Sequence, residues 1–263
     1  MNEFIAATST ETVSGKMIDL ANPRVEDIDV KDIAWALSRL NRYVGHTLSR
    51  LPYTVAQHSV EVSHYIEQML TPGTELNGMF YRFCDEKANS LLILNPHELV
   101  KENAEDSEFD FWADCVSRVR GQDVDENKRI MITFHGLLHD FHEAYLTDIP
   151  TPVKRLPGIY EAYSAAEKKM DAVIFKALKL GYADKWPADR AFGEVVVKWA
   201  DLFALKIEAY HLMHSRGLTW NLPNETPSID IFRAFKDPID GETAYHKLLA
   251  RYDQLKPKDP YYD

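Results

Sequence analysis

Four residues in this chain are equipped for chemistry: His58, the adjacent pair His139-Asp140, and Asp201. Two imidazoles and two carboxylates suit one borderline divalent cation and leave positions open for water and substrate. That donor set points to metal-assisted hydrolysis. Asp201 lies among Val195, Val196, Val197, Trp199, Leu202, Phe203 and Leu205, which cover most of a helix circumference. The spacing therefore predicts a buried Asp201, and a buried carboxylate must be paired or bind a metal; a structural Asp–Arg pair satisfies it equally well. His139 and Asp140 read as part of an equally apolar helix, about 100° apart around its axis. Glu143 follows His139 by four residues and Asp140 by three, so it projects from the same side. A carboxylate beside the metal, but not needed as a ligand, suits a general acid/base. Taken alone, His58 reads as a satisfied core histidine, since a lone histidine on an apolar helix usually is one. His135 reads as a supporting or core residue, and His64, His97, His142, His211, His214 and His246 as surface or packing residues.

The elements that must position these groups are helices. Apolar spacing predicts helices over 30–41, 55–70, from Lys128 through His139-Asp140, over 160–180 (stopped by Gly181), over 194–216 (stopped by Gly217) and over 240–256. Prolines at 150 and 152 end the third of these before residue 148. A small hairpin is expected around Ser14-Gly15, a Gly/His/Pro-containing loop over 44–52, and a Pro-rich connection over 218–238. Strand signals are otherwise nearly absent, so the chain reads as all-α. Residues 71–127 form a helical insertion packed on the core, or else a lid or oligomer contact; they carry an acidic and aromatic patch from Glu102 to Asp114.

A length of 263 residues with 45% hydrophobic composition fits one large domain, residues 1–263, with that insertion. No apolar run approaches the roughly 20 residues of a membrane span. The N-terminus lacks a basic, apolar leader pattern. Cys84 and Cys115 form no CxxC motif, and together these features favour a cytoplasmic setting. The match to a glycosylation acceptor at Asn224 is then chance. A net charge of −11 argues against a nucleic-acid polymer or an anionic membrane as main partner, though not against a small anion in a local cationic pocket. Nucleotide-binding glycine loops, a nucleophile elbow and internal repeats are all missing from the sequence.

The order His58, His139-Asp140, Asp201 resembles the signature of the HD-domain metal-dependent phosphohydrolases. The stretches 32–47, 53–59, 139–155 and 197–201 resemble, more closely, a subfamily of small bacterial and phage enzymes. These are the 5′-deoxynucleotidases and the related deoxynucleoside triphosphate triphosphohydrolases. The likeness covers residues 12–70 and 128–215, and the insertion departs from it. The resemblance implies an HD-type helical bundle in which His58, His139, Asp140 and Asp201 bind the metal. It implies Glu143 as catalytic acid/base, Asp148 as a residue supporting catalysis or holding the deoxyribose, Arg42 as a phosphate contact, Tyr43 near the sugar, and Lys154, with Arg155, as positive charge near the phosphate end. Structural alternatives are a solvated Arg42, a helix-capping Asp148 and a surface Lys154.

The implied reaction breaks the 5′-O–P bond of a deoxynucleotide. A monophosphate would give nucleoside and phosphate; a triphosphate, dATP for example, would give nucleoside and triphosphate. The implied cofactor is one divalent transition metal, Mn, Co, Zn, Ni or Fe, with Mg on the triphosphate, and the implied assembly is a homo-oligomer. Competing readings are a cyclic-nucleotide or (p)ppGpp hydrolase of the same superfamily, a non-catalytic nucleotide-binding protein, and a two-iron oxygenase. The last needs extra histidines between Asp140 and Asp201, where the sequence has only His142.

Overall fold

A computed structural model describes residues 8–94, 114–119, 124–180, 187–220, 222, 228–233 and 235–258. The Glu102–Asp114 patch up to residue 113, Gly181 and Asn224 lie outside the described residues. The described chain is all-α with one small N-terminal hairpin. The hairpin pairs β1 (Ser9–Glu11) antiparallel with β2 (Met17–Asp19), Thr10 opposite Ile18. Its turn uses Gly15 at φ +83°, as expected of the Ser14-Gly15 step.

The helices are α1 (Val30–Leu37), α2 (Val55–Met69), α3 (Glu75–Leu94), α4 (Glu126–Leu138), α5 (Glu143–Leu146), α6 (Thr151–Lys154), α7 (Tyr160–Ala177), α8 (Pro187–Leu212), α9 (Ile229–Arg233) and α10 (Gly241–Leu255). Their starts follow local side-chain chemistry. Asp29, Thr54, Asp125 and Asp240 each accept a first-turn N–H of α1, α2, α4 and α10 respectively.

α2 and α4 form the central pair. One apolar cluster joins Ile33 and Leu37 of α1, Val55 and Ala56 of α2, Phe134 and Leu138 of α4, and Leu248 of α10. A second joins Val62 and Ile66 of α2, Phe80 and Cys84 of α3, and Val196, Trp199 and Phe203 of α8. Each such fully buried side chain contributes about 1.5–3 kcal/mol. Cys115 and Val119, within the helical residues 114–119, belong to the second cluster, so the described parts of the insertion pack on the core. The close approach of α2 and α4 requires Gly136, where a Cβ would come within 2.1 Å of Ile66 Cδ1.

Several helix ends differ from the sequence expectation. α1 stops at Leu37, where the Ser38 hydroxyl donates back to the Trp35 carbonyl at 2.9 Å. α7 closes through Lys179 at φ +60°, with Leu180 N–H bonded to the Phe175 carbonyl, ahead of the residue expected to stop it. α8 starts at Pro187 and ends at Leu212; the left-handed Arg216 and Gly217 belong to the turn beyond it. Among the described residues no helix is long and apolar enough to cross a membrane.

Candidate metal centre

Three helices bring the four residues together. His58 is fully buried on α2, one turn past its Thr54 cap. His139 and Asp140 follow the last residue of α4, and Asp201 lies in the middle of α8. His58 Nε2 is 3.4 Å from Asp201 Oδ1 and 3.5 Å from Asp140 Oδ2; His139 Nε2 is 3.1 Å from Asp140 Oδ2. His58, His139 and Asp201 offer ligand atoms within 4.8 Å of one another, a group that could hold a metal ion.

The nitrogen chemistry fits such an ion. His139 Nδ1 donates to the Gly136 carbonyl at 2.7 Å, and His58 Nδ1 lies 2.5 Å from Glu208 Oε1. Both Nδ1 atoms are engaged, so a bound cation would meet each ring at Nε2; without one, burial and Arg42 lower the His58 pKa but Glu208 and Asp201 carry it up to about 10. Both Nε2 atoms are buried and lack an aligned hydrogen bond, although carboxylate oxygens lie nearby. Two imidazole nitrogens without an aligned partner, facing carboxylates, make a group that could hold a divalent cation. Burial opposes ionisation of Asp140 and Asp201, but the histidines outweigh it, together with Arg42 for Asp140 and Lys198 for Asp201, and both pKa values are lowered.

Two expectations about this region need correction. Asp201 is not sealed in the core: its side chain keeps 22% exposure, with Lys198 Nζ 3.0 Å away. Only part of its helix circumference packs on neighbours, and the remainder borders the site. His139 and Asp140 are not inside α4 either. After Leu138 the chain tightens into turns with i→i+3 bonds: Phe141 N–H to Leu138, Glu143 N–H to Asp140, Ala144 N–H to Phe141. At three residues per turn, positions i and i+3 eclipse. Asp140 and Glu143 therefore project from the same side of the chain, and ligand atoms of Asp140, His142 and Glu143 lie within 4.8 Å of one another. Glu143 is 5% exposed and its Oε2 has no hydrogen-bond partner. Burial foremost, then the charges of Asp140 and Asp148, raises its pKa well above that of an ordinary glutamate.

Arg42 is no solvated helix residue. Its N–H bonds the Tyr53 carbonyl at 2.9 Å, so the chain enters the site beside the start of α2. The side chain is 11% exposed, with Nε 3.2 Å from Glu208 Oε2 and Nη1 3.5 Å from Asp140 Oδ2. Burial disfavours its charge, but Glu208, Tyr43, Asp140 and Asp201 overcome that and raise its pKa. Tyr43 (φ +59°) and Val44 (φ +55°) hold left-handed conformations, unfavourable for a β-branched residue, and this turn directs the Tyr43 hydroxyl onto Glu208. The Tyr43 ring also lies 6.0 Å from that of Trp220.

Across the site, Asp148 caps no helix; Pro150 occupies that position for α6. Thr147, just before it, sits at φ 67°, ψ 158°, a region almost reserved for glycine. Burial, countered in part by Arg42, raises the Asp148 pKa. Lys154 is not a free surface charge: Nζ donates to Glu167 Oε1 at 2.8 Å and lies 4.9 Å from the centre of the Tyr163 ring.

Some residues of this region were not legible as site residues. His142 is 7% exposed, held by Asp171 at 2.8 Å and lying 3.4 Å from Glu167, and its pKa, lowered by burial, is carried up to about 10 chiefly by those carboxylates. Glu208 touches His58, Arg42, Tyr43 and Tyr53. One signal pointed to it: a lone acid seven residues after Asp201 shares its helix face. His135, by contrast, packs as expected, edge-on to Phe175 with its pKa pushed down to about 3 by burial.

No family model matches the chain. It is similar to the uncharacterized protein YfdR of Escherichia coli (strain K12), 27% identical over 245 residues, which cover 93% of this chain and 94% of that one.

Proposed function

We propose that this chain is a metal-dependent phosphohydrolase of the HD-domain kind that cleaves the 5′-O–P bond of deoxynucleotides. The observation that carries the reading is the pair of buried, unsatisfied Nε2 atoms of His58 and His139 facing Asp140 and Asp201. In this reading those four residues hold one divalent ion, and mixed nitrogen and oxygen donors suit Mn, Co, Zn, Ni or Fe. A bound ion supplies a Lewis acid and an activated water.

The chain's own residues do the rest. Arg42, held beside Asp140, offers the fork that neutralises phosphate oxygens as charge develops. Glu143, buried beside Asp140 and with its pKa raised, delivers a proton to the departing sugar 5′-oxygen. A water oxygen bonds to the α-phosphorus as the 5′-O–P bond breaks, and the water proton returns to Glu143. Asp148 supports Glu143 or holds the deoxyribose, Tyr43 faces the sugar, and Lys154 adds positive charge beyond Glu167. Homo-oligomer formation belongs to the same reading, and the mass of the native chain in solution tests it.

Phosphorus NMR of the Mn²⁺- or Co²⁺-loaded chain with dATP and with dAMP tests the function. Triphosphate from dATP supports a triphosphohydrolase, and orthophosphate from dAMP alone supports a 5′-deoxynucleotidase. Inertness toward both sinks the proposal.

A further inference from the structure

Glu208 is 1% exposed and receives contacts from four side chains at once. Oε1 lies 2.5 Å from His58 Nδ1 and 3.2 Å from the Tyr53 hydroxyl; Oε2 accepts from Arg42 Nε at 3.2 Å and from the Tyr43 hydroxyl. The carboxylate therefore has little acceptor capacity left for any ligand. Neutralising a buried Arg42 accounts for one of these contacts. It does not account for the placement on His58. The two imidazoles of the centre are oriented differently: a neutral backbone carbonyl holds His139, whereas a charged carboxylate holds His58. A carboxylate on Nδ1 fixes the ring, selects the tautomer with Nε2 bare, and makes Nε2 a stronger donor.

We propose that Glu208 is a positioning residue that sets the cation affinity of the centre through His58 and, through Arg42 and Tyr43, fixes the phosphate- and sugar-facing side chains to the same anchor. This inference rests on the metal reading above. Loss of such a partner lowers metal affinity by about 10–100-fold.

The test is Co²⁺ binding to the full chain, followed by calorimetry and by the visible Co²⁺ spectrum, with melting of each metal-free variant in parallel. Glu208→Gln keeps the shape and removes the charge; it is expected to weaken Co²⁺ binding by about 10–100-fold and to alter the spectrum. Glu61→Gln is the control, because Glu61 also lies 3.2 Å from the Tyr53 hydroxyl yet does not hydrogen-bond His58 Nδ1, which Glu208 holds. It should bind Co²⁺ as the parent does. If Glu208→Ala does not fold, Glu208→Gln decides the matter. Should Glu208→Gln melt lower but bind Co²⁺ with unchanged affinity and spectrum, the role is purely structural and the proposal is overturned. Should the parent bind Co²⁺ no better than His58→Ala, the metal reading itself fails, and the Glu208 role with it.

Discussion

Arg42 and Asp140 meet at 3.5 Å, so the guanidinium assigned to the substrate phosphate rests against a carboxylate assigned to the metal. Its Nε is meanwhile bonded to the buried Glu208. The pair links the two halves of the site, and replacing Arg42 should have effects on both.

Arg42→Ala should lower kcat/KM for the deoxynucleotide by about 10²–10³, the usual cost of losing one charge-stabilising donor. It also leaves Glu208 buried without its cation, which costs about 3–5 kcal/mol of stability. Arg42→Lys should recover little of either, because an ammonium cannot span Glu208 and Asp140 together. Steady-state kinetics and thermal melting check this; parental kcat/KM in Arg42→Ala would remove Arg42 from the site.

Glu143→Gln should lower kcat by about 10²–10⁴ while the metal content stays at the parental level. The group is buried, and its Oε2 makes no hydrogen bond, so an amide is sterically tolerated. Metal analysis beside single-turnover rates separates the two effects. Loss of metal in this variant would make Glu143 a ligand instead of an acid.

Glu61, which shares the Tyr53 hydroxyl with Glu208, provides a pH prediction. Burial, which outweighs the Gln57 and Tyr53 hydrogen bonds, raises its pKa from 4.5 to about 7. The folded protein thus holds a proton that the unfolded chain has already released at lower pH. The sign follows: Glu61 costs nothing below pH 4.5, and its penalty grows as pH rises from 4.5 to about 7. Glu61→Gln should stabilise the protein at pH 8 relative to pH 4, by on the order of 1–3 kcal/mol. Denaturant titrations at both values measure it; an equal effect at both would refute the assignment.

Gly136→Ala should destabilise the fold by about 1–3 kcal/mol, since its new methyl would overlap Ile66 Cδ1. Ile66→Val deletes that very atom. The double variant should therefore melt higher than the sum of the two single changes predicts. Strict additivity in the cycle would show that α2 and α4 relax apart.

The helical class was legible in the sequence because apolar spacing is a local signal; the set of four centre residues came from the order of a family signature, and the structure brings those four together. Apolar spacing marks which helix face packs, and His58 or Asp201 stands out as an ionisable group on such a face. The same spacing placed the starts of α2 and α10 to within a residue. What each buried polar group touches was not legible. Glu208 pairs with His58 across 150 positions and with Arg42 across 166, and Lys154 is claimed by Glu167. The 22% exposure of Asp201, against an expectation of full burial, depends on which part of α8 its neighbours leave uncovered. The tightening after Leu138, which sets Glu143 on the same side as Asp140, is a backbone choice that residue types alone do not encode. Residue type and period determined which groups could do chemistry; the packing of α2, α4 and α8 decided their partners, because a hydrogen bond depends on distance in space and not along the chain.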